Sequence, residues 1–407
     1  GGVTANSIGE FYYVDWDWDP QLADIDNYLA EAGTSATFGS DAGNQDIIIS
    51  KFDQTGNLLW ACQYGGSGSD EVNGAVAVDD LDNLYIVGTT AKEFSMGTND
   101  LPLQVLAGAF NQAWDGTCAI GTRGYLLKFL PNNTRQWCTF LDKGANLEVF
   151  DIACGLNNDM YLVGKSGSNT SCAVSIPTGT GYLGVPTDAS SSHNFILRLN
   201  SSGALVWSTW VPGATNSTGR LCDVAIDKSN GDVLVVGDEV WSATQNFANA
   251  IISATLNYQG KNDMFYFKFN SANQPVPAWG NYIGGAGFDK INVGSANGDT
   301  EIDANGNLYV CGHTYSANFP VVDPGGCSYF DGIINDGAGI TLNEAAKQNG
   351  YLFKINTIGN IPYCTFFGGA EYTSMKQLKK DSHSNLWICG EQKASGLPTI
   401  NHNDYYN

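Results

Sequence analysis

The chain has 407 residues, 43% hydrophobic and 12% aromatic, with 19 Lys and Arg against 41 Asp and Glu, a formal charge of −22 at pH 7. That is enough apolar material for a sizeable core, but too few cations for a nucleic-acid-binding surface, which needs clustered Lys and Arg to displace counterions. An anionic membrane would repel the chain, and 49 Gly against 4 Met, with many Thr, Tyr, Val and Asn, favours short strands and tight turns over helices.

In chain order, residues 8–18 (Ile8 to Trp18) read as a first strand-like run, and Asp26 to Gly33 as a second one closing on glycine. Asp46-Ile47-Ile48-Ile49-Ser50-Lys51-Phe52 and Leu59 to Gly66 follow, joined by the turn Asp53-Gln54-Thr55-Gly56-Asn57. The stretch Gly65 to Phe94 then sets the pattern for the rest. Its Asp82-Asn83-Leu84-Tyr85-Ile86-Val87-Gly88 returns at Asn158 to Gly164, Gly231 to Gly237, Gly306 to Gly312 and Ser384 to Gly390. The closing glycines Gly33, Gly88, Gly164, Gly237, Gly312 and Gly390 fall about 55 to 78 residues apart. A unit of this size cannot bury both faces alone and must stack on its neighbours.

Each unit divides into four runs, a to d. In the second unit they are Val72 to Asp79, Leu84 to Thr90, Tyr125 to Phe129 and Gln136 to Phe140. Run c carries a basic residue among apolar ones, and run d an aromatic: Trp60, Trp137, Trp207 and Trp279 share one repeat position, which marks them as packing between units. Four antiparallel strands repeated in series are the signature of an all-β propeller. The expected blades are about 1–66, 67–144, 145–213, 214–285, 286–369 and 370–407, in one domain: five complete blades and runs a and b of a sixth. With polypeptide beyond Asn407 the ring would have six or seven blades. Long loops between b and c, residues 91–123, 166–193, 238–262 and 313–349, are expected on one face, the usual place for binding in repeat folds.

These units resemble the SBBP-type, "seven-bladed β-propeller" repeats of secreted and cell-surface bacterial proteins. The resemblance rests on the Trp/Tyr-x-x-aromatic-x-Gly-Gly end of run d at Trp279 to Gly285 and Tyr363 to Gly369, on Asp303 to Thr314, and on Ser316 to Pro320. Leu106 to Phe110 and Asp323 to Gly326 approximate its Pro-Gly-Ala-Phe linker, while Asp142-Lys143 and Pro212-Gly213 lack its Gly-Gly. It covers nearly the whole chain and implies an extracellular adhesive or scaffolding module, with no catalytic residues to carry over.

The candidate site is positional. Asp79, Asp227, Asp303 and Asp381 end successive a runs, with Asp17 or Asp19 as counterpart in the first unit, and such a ring at a channel mouth suits Ca²⁺ or a basic ligand. The stronger reading is that each Asp opens a tight a–b turn and accepts local backbone hydrogen bonds. No metal or other cofactor is otherwise expected. The histidines His193, His313, His383 and His402 have no metal-ligand spacing and read as surface residues. Of ten cysteines, Cys311 and Cys327 bracket a loop and are candidates for a disulfide, with Cys118 in the matching earlier loop. Trp16, Trp18, Phe110, Trp114, Trp241, Tyr315, Tyr329 and Phe330 could stack on sugars but read mainly as core. The expectation is a non-enzymatic extracellular module whose partner is a protein, a surface glycan or further copies, without nucleic acid or membrane insertion. A carbohydrate-active propeller enzyme and a lectin-like propeller are the alternatives.

Overall fold

The computed structural model describes residues 2–17, 36–39, 45–91, 101–110, 122–142, 147–167, 193–211, 220–240, 261–270, 277–291, 299–326, 328–334, 348–368, 372–381 and 383–392. The chain divides into two compact units, Gly1–Gly231 with Asn270–Val276 and Asp232–Phe269 with Pro277–Asn407.

In the first unit, β1 (Gly2–Ala5), β2 (Phe11–Asp17), β3 (Ala36–Gly39), β4 (Asp46–Phe52) and β5 (Leu58–Gly65) form one sheet in the order β1-β2-β4-β5-β3, with β3 parallel to the outer strand. Two four-stranded antiparallel meanders follow: β6 (Asp70–Val78) to β7 (Leu84–Ala91), β8 (Thr122–Phe129) and β9 (Arg135–Phe140), then β10 (Leu147–Cys154) to β11 (Met160–Ser166), β12 (His193–Leu199) and β13 (Leu205–Val211). Beyond them β14 (Arg220–Asp227) lies against β10 and β11. In the second unit β15 (Asp232–Val240), β16 (Asn262–Phe269) and β17 (Pro277–Ile283) pair in series. Next come β18 (Asp289–Lys290) and β19 (Thr300–Ile302), both paired with β20 (Leu308–Thr314), then β21 (Asn349–Ile355) and β22 (Tyr363–Phe367). The last sheet is the hairpin of β23 (Thr373–Lys380) and β24 (Leu386–Gln392). The chain is an all-β protein of propeller blades.

The two-residue period of a strand explains why a blade needs two neighbours. In the second blade Leu84, Ile86, Leu127 and Phe129 join a core with Tyr12, Val14, Ile47, Ile49 and Trp60 of the first. The alternate residues Tyr85, Val87, Leu126 and Trp137 join another with Leu147, Val149, Met160, Leu162 and Phe195 of the third. The run-d tryptophans complete these contacts: Trp60 meets Phe129 edge-on at 5.4 Å, and Trp137 lies over Gly203 in the next blade's c–d turn. Gly203 has φ +79°, so glycine both relieves the backbone and leaves room for the ring.

The closing glycine of run b has a specific cause. Gly88, Gly164, Gly237 and Gly312 stand opposite Tyr125, Phe195, Phe265 and Tyr351 of strand c. A Cβ on Gly88 would run into Glu71 O, at the bulge of β6, and into the Tyr125 hydroxyl, which bonds that same carbonyl at 3.1 Å. This rule corrects the expected start of the chain. Run a of the first blade is β1, and Ile8 to Trp18 is run b rather than a, because β2 pairs with β4. At the glycine position stands Asp15, opposite Ile48 rather than an aromatic, so the marker for run b is missing. The Asp26 to Gly33 copy lies outside the described residues.

Eight a–b and c–d turns among the described residues share one five-residue form. The first residue's N–H donates to the fifth carbonyl and the fourth N–H to the first carbonyl, as in Asp79–Asn83, Asn200–Ala204 and Asp303–Asn307. The fourth residue has positive φ in each: Gly9, Gly56, Asp82, Asn133, Gly203, Gly306, Gly359 and Ser384. This is a type I turn followed by a left-handed residue.

The described parts of the b–c loops fold back over the outer edge of their blades. Gln104 and Cys138 exchange two backbone hydrogen bonds, as Val322 and Cys364 do at the equivalent position, while β3 runs beside Cys62. The outer edges are thereby blunted, and Cys62, Cys138 and Cys364 are sealed beneath. Burial alone pushes the Cys62 and Cys364 thiols up, and it dominates at Cys138, which reaches about 12. Alkylation of the native protein at pH 8, mapped by mass spectrometry, is expected to label exposed Cys389 rapidly and these three only after denaturation.

Candidate functional site

The basic residue of strand c organises each blade. Lys51, Lys128, Arg198 and Lys354 stand over the rings of Tyr12, Tyr85, Tyr161 and Tyr309 on strand b, at 5.4, 5.0, 5.5 and 4.9 Å. Lys268 stands over Trp279 instead, at 5.8 Å. Each such contact contributes about 0.5–2 kcal/mol, according to its desolvation.

Carboxylates of the a–b region meet the cations. Glu10 is 2.7 Å from Lys51, Asp159 2.6 Å from Arg198, Asp232 2.8 Å from Lys268, and Asp303 3.2 Å from Lys354. The charge comes from either end of the turn. Asp79, Asp303 and Asp381 open their turns and are bonded by Asn83, Asn307 and Asn385 at the fifth position. In the first blade the order is reversed, with Asn6 opening and Glu10 closing the turn at 2.7 Å. Asn6 is therefore the counterpart of Asp79; Asp17 lies in β2, and Asp19 lies outside the described residues. In the third blade Gly155 opens the turn and Asp159 supplies the charge.

The cation also reaches the next blade. Lys51 Nζ donates to Pro131 O at 3.4 Å, Lys128 Nζ to Ser201 O at 3.1 Å, and Lys268 Nζ to Thr357 O at 3.4 Å; all three acceptors are second residues of c–d turns. A second tie joins innermost strands: Asp151 accepts from Val224 N at 2.9 Å, and the equivalent Asp299 from Leu378 N at 3.4 Å.

Asp79, Asp227, Asp303 and Asp381 thus have internal partners. Asp79 accepts from Leu81 N, Asn83 N and the Tyr85 hydroxyl. Asp227 accepts from Ser229 N and Oγ. Asp303 accepts from Asn305 N, Asn307 and Lys354, and Asp381 from His383 N, Asn385 and Trp387 Nε1. Burial works to raise the Asp303 carboxyl, but the bonds from Asn307 and Lys354 hold it below its ordinary value. Asn385, then Trp387, hold Asp381 at about 2. Among the described residues no group of three or more His, Cys, Asp or Glu is placed to hold a metal.

The remaining candidates fall in several places. Cys311 is buried in β20, whereas Cys327 and Cys118 lie outside the described residues. His193 and His313 are buried rather than superficial, against Trp210 and Tyr315; His383 sits in a turn and His402 lies outside the described residues. Phe110 is buried, and Trp18, Trp114 and Trp241 lie outside the described residues. The Gly-Gly ends of run d close onto carboxylates: Gly66 N donates to Asp70 at 2.7 Å and Gly285 N to Asp289 at 2.6 Å. Where Gly-Gly is lost, Asp142 is 4.0 Å from Arg123.

Sequence reasoning pointed to Asp381 in the turn of the last hairpin and to bare blade edges in general, but assigned no residue of β24 to a site. Leu386, Trp387 and Ile388 of β24 line a groove of about 480 Å³ with Tyr329, Tyr363 and Phe367. Trp387 is 66% exposed, whereas Tyr85, at the same repeat position, is fully buried.

No family model matches the chain. A stretch of 169 residues, 41% of the chain, is 24% identical to an uncharacterized WD repeat-containing protein of Acanthamoeba polyphaga mimivirus, of which it spans 12%. Among solved structures, the Hadza microbial sialidase Hz136 aligns over 93% of this chain and 60% of its own, at 9% identity and a TM-score of 0.43. NanB aligns over 96% and 64% at 8% and 0.47, and a protein of unknown function from Dyadobacter fermentans over 89% and 92% at 12% and 0.39. The propeller assignment rests on the chain's own sheets, and no activity follows from these likenesses.

Replacing Arg198 by Met is expected to cost about 2–3 kcal/mol in urea unfolding, because it leaves the buried Asp159 without its cation. The double variant Arg198→Met/Asp159→Asn should lose less than the sum of the single losses. For Asp381, a folded value of about 2 lies below the ordinary carboxylate value. The hairpin's stabilisation is then complete above about pH 4 and is lost as pH falls towards 2. Amide exchange in β23–β24 should accelerate over that window, and Asp381→Asn should remove the dependence.

Proposed function

We propose that the chain is a non-enzymatic, SBBP-type module of a larger extracellular or cell-surface bacterial protein, acting in adhesion or as a scaffold. It meets a protein, a surface glycan or further copies through blade edges and the side carrying the long b–c loops. The observation that carries this reading is β24, a strand with an open apolar face and a half-exposed edge where the equivalent β7, β11 and β20 are buried almost throughout. The turn carboxylates support it as well, since Asp303 and its equivalents are engaged in holding the blade. The charge of −22 keeps separate copies soluble until a contact screens it.

Beads coated with the 407-residue chain should attach to protein-coated or glycan-coated surfaces without turning over sialosides or polyuronates. Turnover that is lost in Asp303→Asn or Asp227→Asn, with the fold intact, replaces the reading with a carbohydrate-active enzyme. Attachment to a single glycan at several equivalent sites per chain replaces it with a lectin.

A further inference from the structure

The hairpin β23–β24 retains every feature by which the other blades receive their third strand, and these features specify the chemistry of what binds there. Gly390 occupies the position that stands opposite an aromatic in the four blades where it is glycine, and the atoms nearest a Cβ there would be the bulge carbonyl of Ser374 and the adjoining Met375 backbone, with no ring among them. Trp387 occupies the position of Tyr12, Tyr85, Tyr161 and Tyr309, the rings over which strand-c cations stand. Asp381 occupies the position of Asp303, which pairs with such a cation at 3.2 Å; its Oδ2 is bonded by Asn385 and Trp387 in the same arrangement. Among the described residues β24 pairs with β23 alone.

We propose that the open edge of β24 is a receptor for an extended peptide strand of the pattern aromatic-x-x-Lys/Arg-apolar, supplied by a partner protein. The strand adds antiparallel to β24, its aromatic opposite Gly390 and its cation over Trp387 and towards Asp381, while its apolar residues enter the 480 Å³ groove. The pattern is that of Tyr125 to Phe129, Phe195 to Leu199, Phe265 to Phe269 and Tyr351 to Ile355. All four are already paired in their own sheets, so a second copy has none to offer without opening a blade. The inference rests on the reading of the chain as an edge-presenting module and names the ligand of that edge.

The test uses the whole chain and a fluorescently labelled synthetic peptide with the sequence of Asn349–Asn360. Saturable binding is expected, with new amide protection in β24. Affinity should fall at least about tenfold when the peptide carries Lys354→Glu or Tyr351→Ala, and equally when the chain carries Trp387→Ala. Trp387 is exposed but bonds Asp381, so that variant should stay folded with a slightly lower Tm; Leu386→Lys is a second variant, placing a charge in the groove. Absence of binding to a folded chain, binding indifferent to both peptide changes, or protection outside β24 overturns the proposal. So does a concentration-dependent dimer that Trp387→Ala abolishes, which would assign the edge to a second copy. Surface attachment by a chain that fails to bind the peptide refutes the receptor while leaving the module's role standing. Peptide binding without any attachment refutes the role and leaves the receptor.

Discussion

The cation in the third strand of each blade is the contact on which the structure turns. In four blades it stands over the strand-b ring and in one over Trp279, in four its charge is met by a carboxylate of the a–b region, and in three it reaches a carbonyl of the next blade. One side chain thereby fixes strand pairing, turn conformation and stacking together. A chain with only 19 basic residues spends five of them at this position. An ammonium or guanidinium suits the task because it carries several donors, and the ring and carboxylate compensate for its lost hydration.

The same contact explains why the turn aspartates look like a site when read as a row of letters. A carboxylate recurring at the end of each inner strand invites a cation, and Lys354 supplies one to Asp303. Its neighbour Asn307 and the turn amides take the rest of its acceptor capacity. In the second blade the Tyr85 hydroxyl joins them at Asp79.

Much of this was legible in the sequence, because strand period, turn residues and repeat spacing are local properties. The blade order, the hairpins and the interblade role of Trp60 and Trp137 follow from them. What was not legible depended on partners. The first blade's run b was misplaced because Asp15 stands where glycine is needed only opposite an aromatic, and strand c there has Ile48. Asn6 was passed over because the charge had moved to Glu10, four residues along. His193 and His313 read as superficial, since nothing local reveals that Trp210 and Tyr315 lie against them. The fold-back of the b–c loops onto Cys138 and Cys364 likewise has no periodic signal.

The five-residue turn bears on how such a chain reaches its native state. With eight hairpins closed by the same short turn, much of the pairing is between residues adjacent in sequence, and loop-closure entropy at each step is small. The long b–c connections are different: strand c must find strand b across some thirty residues, as between Ala91 and Thr122. Folding then has two tempos, fast formation of a–b and c–d hairpins and slower docking of one on the other. An a–b hairpin that has not yet met its c–d partner is the natural intermediate of every blade, and β23–β24, paired only with each other among the described residues, shows the form such an intermediate takes.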